Sequence, residues 1–211
     1  GRPGLQPPLV AILGHFMQPS VALRRICGAG ILILYLAVFG IGWLVHLPGY
    51  PFCADAAREV WVPYRLMHGE VLYRDVLHLW GPFASHLNAL LFRIVPFEPI
   101  QTLFLAGAAN ILLCGLLLDR AARRFLEDRN RMLLQGLFLF GVAFPGALGR
   151  QGGIWTPYAF DYAYGMTWSL CALVAALSAS EKPGPLRWTL LGLAIAGSLL
   201  TKVDAFAGPL L

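Results

Sequence analysis

Residues 29–47, AGILILYLAVFGIGWLVHL, run without a formal charge, and this stretch limits the chain more than any other. About 20 such residues are what a helix needs to cross a bilayer. The rest of the chain extends the constraint. Residues 100–118, 132–148 and 163–180 are further apolar spans, the second of these bent near Pro145, and 188–211 begins another. With 58% hydrophobic residues, 13% charged and a mean hydropathy of +0.66, one water-soluble core could not hide this much apolar surface. The expected fold is therefore an all-α integral membrane protein with about five transmembrane helices. The chain begins Gly1-Arg2-Pro3 and stops inside an apolar run, which reads as part of a longer protein. The patch 9–17 is too short to span and has no clear cleavage site, so it does not read as a signal peptide.

The net charge of +5 and the pI near 9.3 follow from arginines flanking the spans. No basic run interleaved with aromatics lies on a soluble face, so nucleic acid is not an expected partner. Cys27, Cys53, Cys114 and Cys171 form no close pair and three fall in or beside apolar runs, so neither a disulfide framework nor a cysteine metal site is indicated. With five spans and the N-terminus inside, ten Lys and Arg fall in cytoplasmic segments against five outside. Counting 83–95 as a sixth span gives nearly the same split. Arg24 and Arg25 abut the first span, and placing His86, Asn88 and Arg93 in lipid would be costly, so the five-span map is preferred. Residues 1–28 are then a cytoplasmic segment, 29–211 one transmembrane module, and 50–98 a long external first loop.

That loop is the one long polar interruption, holding Asp55, Glu59, Glu70, Asp75, His68 and His78 between residues 50 and 82. Two stretches of it read as interfacial amphipathic helices. In 83–95, Phe83, Leu87, Leu90, Leu91 and Ile94 recur at helical spacing, with His86 and Arg93 on the other face. In 54–68 the pattern is weaker, and Pro63 is expected to kink the helix or start a new turn.

The order of a span, Asp55, Gly69-Glu70, Tyr73-Arg74-Asp75 and Gly81-Pro82 before an apolar segment resembles the first external loop of the GT-C superfamily of membrane glycosyltransferases. The protein mannosyltransferase and aminoarabinose transferase-like branch is the nearest in pattern, and the likeness covers residues 26–124. Asp55 is followed by Ala56 where the branch pattern has a second acid. His78-Leu79-Trp80-Gly81-Pro82 follows the Gly-Pro variant of the pattern, and Leu103 stands where an arginine is often found. The resemblance implies the N-terminal part of an enzyme that moves a sugar from a polyprenyl-phosphate-linked donor to an acceptor on the outer face. A bacterial plasma (inner) membrane, with the active face external or periplasmic, is the expected setting. The alternative is a polytopic transporter or a non-catalytic membrane scaffold.

By the resemblance Asp55 corresponds to the catalytic acid, and a carboxylate at a low-dielectric boundary suits a base. It could equally cap the helix that follows it. Asp75 and Asp161 are further catalytic candidates, Asp161 from the second external segment. Arg58, Arg65 and Arg74 offer guanidinium forks to a donor phosphate or to lipid headgroups. Glu70, Asp75, His68 and His78 could complete a polar pocket or hold a divalent metal, a possible cofactor. Lys202 and Asp204 lie in an apolar run, where an ionisable residue is a functional candidate by default, and Lys202 is a substrate-binding candidate. Trp61, Trp80, Tyr50, Tyr73, Trp155 and Tyr158 read as an interfacial aromatic belt.

Overall fold

The computed structural model describes residues 21–46, 54–143 and 160–202. These form seven α-helices: α1 (Val21–His46), α2 (Ala54–Met67), α3 (Pro82–Ile94), α4 (Pro99–Ala122), α5 (Asp128–Phe138), α6 (Phe160–Glu181) and α7 (Pro185–Thr201). A π-helical turn, Leu139–Ala143, continues α5, and there is no β-strand among the described residues. Proline sets three of the starts. Pro82, Pro99 and Pro185 each open a helix, where the missing N–H costs nothing and the ring fixes φ. Pro63, in contrast, does not break α2, which runs through it.

Two helices, α4 and α6, are long and apolar enough to cross a membrane. The apolar part of α1, Ala29–Leu44, and α7 are shorter. The remainder of the expected third and fifth spans, residues 144–148 and 203–211, lies outside the described residues.

The helix α4 lies at the centre. Val38 of α1 packs with Phe104, Ile111 and Cys114 of α4 and with Phe138 and Leu139. On another side, Leu103 of α4 meets Phe160 and Tyr164 of α6 and Ala84 of α3. α4 and α6 run parallel, since Asn110 Nδ2 donates to the Ala163 carbonyl (2.9 Å) near one end and Arg124 Nη2 donates to Glu181 (3.1 Å) at the other. α6 and α7 form an antiparallel hairpin. Gly197 makes their close approach possible, because a Cβ there would stand 2.4 Å from the Trp168 ring.

Polar groups are found between the helices and large apolar ones outside them. Asn110 accepts from Thr167 Oγ1 (2.6 Å), and Gln135 Nε2 donates to the Gly115 carbonyl (2.8 Å), all four residues being buried. Leu36, Leu113, Leu116, Leu173 and Leu193 meanwhile face outward. Burying polar groups while exposing leucines reverses the arrangement that water favours.

α3 departs from its sequence pattern. Its buried stripe is Ala84, Ser85, Asn88 and Ala89, whereas Leu90 and Ile94 are exposed with His86 and Arg93. The reason is a specific contact: Tyr164 donates to Asn88 Oδ1 (2.8 Å), and the small neighbours let the helices approach. The amphipathic character is there, but the packed face is the small and polar one.

The bundle has two distinct ends. At one, Asp119 accepts from Arg123 (2.8 Å) and Arg131 (2.8 Å), and Arg124 reaches Glu181 across the bundle. Arg124 of the arginine-rich segment thus meets Glu181, which opens the 181–187 turn. At the other end lie the 68–82 loop, the start of α6 and the end of α7.

Candidate functional site

The loop after α2 begins at Gly69, whose φ of 91° lies in the left-handed region that a glycine enters without a Cβ clash. The chain then folds back on itself. Val71 N–H donates to Asp75 Oδ2 (2.8 Å), and Tyr73 N–H donates to the Val76 carbonyl (2.9 Å). Tyr73 itself is held at φ 68°, a strained value for a residue with a side chain. Its hydroxyl donates to the Trp80 carbonyl at 2.5 Å, tying the turn to the segment that leads into α3.

Within this turn the candidates Glu70, Arg74 and Asp75 make local pairs. Glu70 pairs with Arg65, and Arg74 with Asp75 through two hydrogen bonds of 2.9 and 2.8 Å. The Arg74 fork, with help from Val71 N–H, holds the Asp75 carboxyl down at about 2, and Asp75 in turn raises the guanidinium. His68 Nδ1 lies 2.8 Å from the Tyr64 carbonyl. The four residues considered as a metal set are thus drawn into separate contacts. Among the described residues no group of three His, Cys, Asp or Glu side chains comes together.

The other candidates converge. Gly81 N–H donates to the Thr201 carbonyl (3.1 Å), seating the loop on the last turn of α7. Lys202 follows as the extended residue that ends that helix, with Nζ 4.4 Å from the Trp80 ring centre and 3.8 Å from that of Tyr162. Such placement over aromatic faces stabilises a partly desolvated ammonium. Arg58 of α2 lies on the same indole, 5.9 Å from its centre, and donates to Glu59 Oε1 (3.1 Å). Asp161, in the first turn of α6, is 3% exposed, and its Oδ1 has no hydrogen-bond partner among the described residues. The charges acting on it are those of Arg58 and Lys202. Two cations, Arg58 and Lys202, are so balanced by two buried carboxylates, Glu59 and Asp161.

His78 borders this cluster. It is buried, with Nε2 3.4 Å from Ser85 Oγ. Burial first, then the Arg58 and His86 charges, push its imidazole below the ordinary value near 6.5, against a smaller opposing effect of the Gly81 backbone. The folded state holds it neutral while the unfolded chain takes up a proton. Stability is therefore expected to fall as pH drops from about 6.5 to the lowered folded value, and to level off below it. Melting temperatures between pH 8 and pH 5 should show this slope, and His78→Asn should flatten it.

Asp55 is the second residue of α2, one turn before Glu59, inside the helix and not preceding it. Its side chain, with Asp204, Tyr50, Trp155 and Tyr158, lies outside the described residues. The sequence reading names Glu59 among the loop acids without giving it a role, and passes over Tyr162, Ser85, Tyr164 and the inward role of Trp80. Tyr162 had one available signal, its position beside Asp161. No protein-family model, curated protein or solved structure matches this chain.

Proposed function

We propose that this chain carries the active-site loop of a GT-C-like integral membrane glycosyltransferase, with a polyprenyl-phosphate-linked sugar as donor. The observation that carries the reading is the meeting of Arg58, Asp161 and Lys202, from three separated stretches, at one end of an all-helical bundle. Two cations beside each other suit a phosphate. A buried carboxylate with an open oxygen suits a hydroxyl. The outward leucines and the two long apolar helices support a membrane setting, and the arginine-rich opposite end supports placing the cluster at the external or periplasmic face of a bacterial plasma membrane. A transporter would keep its charged site near the middle of broken helices, whereas this cluster sits at helix ends.

In the proposed reaction Asp55 accepts the proton of the acceptor hydroxyl. The hydroxyl oxygen bonds to the anomeric carbon as the bond from that carbon to the phosphate oxygen breaks, inverting the centre and releasing polyprenyl phosphate. Arg58 and Lys202 balance the charge gathering on the phosphate. The test incubates the full-length protein in nanodiscs with a panel of polyprenyl-phosphate sugars and follows polyprenyl phosphate by mass spectrometry. Release from one donor is expected, with Asp55→Asn slower by about 10²-fold or more, the range for losing a general base. No release from any donor, together with no preference for polyprenyl phosphate over the neutral polyprenol in binding, would overturn the reading.

A further inference from the structure

Segment 76–80 turns leucines outward and an imidazole inward. Val76 and His78 are 1% and 7% exposed, while Leu77 and Leu79 between and beyond them are 87% and 78% exposed. Burial alternates from residue to residue, so the inward row holds a valine and an imidazole and the outward row holds two leucines. Water would favour the opposite choice, because an exposed leucine forfeits burial and a buried imidazole loses hydration. Around His78 the inner side is polar, with Ser85 3.4 Å away and the Arg58 charge acting on it, while Val76 packs with Val62 and Leu72. The surroundings outside the loop must be the less polar side.

We infer that this segment lies in the outer boundary of the lipid bilayer, with Leu77 and Leu79 inserted among acyl chains. The occupant is lipid and not a protein partner because large apolar side chains are exposed on several different helices and not on one face. Leu32 of α1, Leu113 of α4, Leu173 of α6 and Leu193 of α7 all face outward. A partner protein covers one face, whereas lipid covers every one. The neighbouring α2 adds the side chains that favour headgroup depth. Trp61 and Tyr64 are exposed, and the Arg65 guanidinium lies 4.5 Å from the Trp61 ring centre. The loop thereby fixes how deep the Arg58, Asp161 and Lys202 cluster sits, since Gly81 ties its far end to α7. The inference rests on the membrane part of the reading above and not on its chemistry.

The test attaches an NBD fluorophore to Leu77→Cys and Leu79→Cys in a full chain whose four native cysteines are serine, reconstituted in phospholipid nanodiscs. Leu113→Cys serves as the control on α4. Phospholipid carrying a doxyl group on its acyl chain quenches from the lipid side, and iodide quenches from water. Loss of fluorescence to doxyl lipid but not to iodide, at both loop positions and at the control, is the expected result. If the control is quenched by doxyl lipid and the loop labels are quenched by iodide, the loop is in water and the inference fails while the membrane reading stands. If neither quencher reaches the loop labels, protein covers them, a second copy or another segment, and the inference fails likewise. Iodide quenching at all three positions would overturn the membrane reading too. Should the serine background not fold, benzoylphenylalanine at position 77 or 79 of the natural chain gives a lipid adduct on irradiation if the inference holds. A protein adduct, or none, overturns it.

Discussion

Gly81→Ala should destabilise the fold at or above the upper end of the about 1–3 kcal/mol that overpacking usually costs. A Cβ at this position would stand 2.0 Å from the Leu200 carbonyl oxygen, 2.4 Å from its carbon and 2.8 Å from the Thr201 oxygen. All three are backbone atoms, so no rotamer change relieves the clash. Either the loop lifts from α7, losing the Gly81 N–H bond to Thr201, or the last turn of α7 unwinds. Each response moves Lys202 away from Trp80. Denaturant unfolding in detergent micelles measures the loss. Amine-directed labelling of Lys202 should rise in the same variant, because its ammonium leaves the aromatic faces that shield it. Gly192→Ala is the control: it lies on α7, the helix that Gly81 presses against, but nothing stands within 4 Å of the added carbon. It should leave stability unchanged or raise it by up to about 1 kcal/mol through helix propensity. Equal effects from the two substitutions would mean that Gly81 is not pressed against α7.

Local pattern carried the helices and little of what joins them. The apolar runs read from 83 and 100 place the starts of α3 and α4 to within one residue, whereas the run read from 188 begins three residues after α7 does; the prolines at 82, 99 and 185 mark the actual starts, because such signals act within one turn of themselves. Periodicity in 83–95 finds the helix but assigns its leucine face to the interface without asking which face packs. The answer depended on Tyr164, far along the chain, which selects Asn88 and the small residues around it. The same limit explains the loop. Gly69, Glu70, Tyr73 and Asp75 are legible as an ordered motif, yet spacing alone does not separate a ligand-binding role from a turn that holds itself. In the structure Asp75 and Arg74 satisfy one another, and Tyr73 braces Trp80. Trp80, read as an interfacial ring, turns inward over two cations. Asp161 is singled out by its place in the second external segment, and Lys202 by its place inside an apolar run. That they act on one another follows only from the α6–α7 hairpin.

Asp161→Asn should leave stability unchanged or raise it by about 1 kcal/mol, the low end of the gain from removing a buried charge whose burial outweighs its attractions. Burying this carboxyl costs more than the Arg58 and Lys202 charges return. Asparagine keeps the shape, so the change reports charge and not a cavity. The reverse change, Lys202→Met, leaves Asp161 with Arg58 as its remaining cation. In the double variant Asp161→Asn with Lys202→Met both charges are gone, and the two effects should add to less than their sum by about 1 kcal/mol or more, as coupled neighbours do. Strict additivity would mean that the two charges do not act on each other. On the proposed function the variants divide further. Lys202→Met should weaken binding of polyprenyl phosphate more than of polyprenol, because only the phosphate senses the ammonium. Asp161→Asn should slow sugar release by about 10²-fold, the scale set by losing one group that stabilises developing charge or aligns a hydroxyl. If transfer survives Asp161→Asn while binding of polyprenyl phosphate weakens, the carboxylate is there to hold Arg58 and Lys202 in place, and the proton must leave through Asp55 without it.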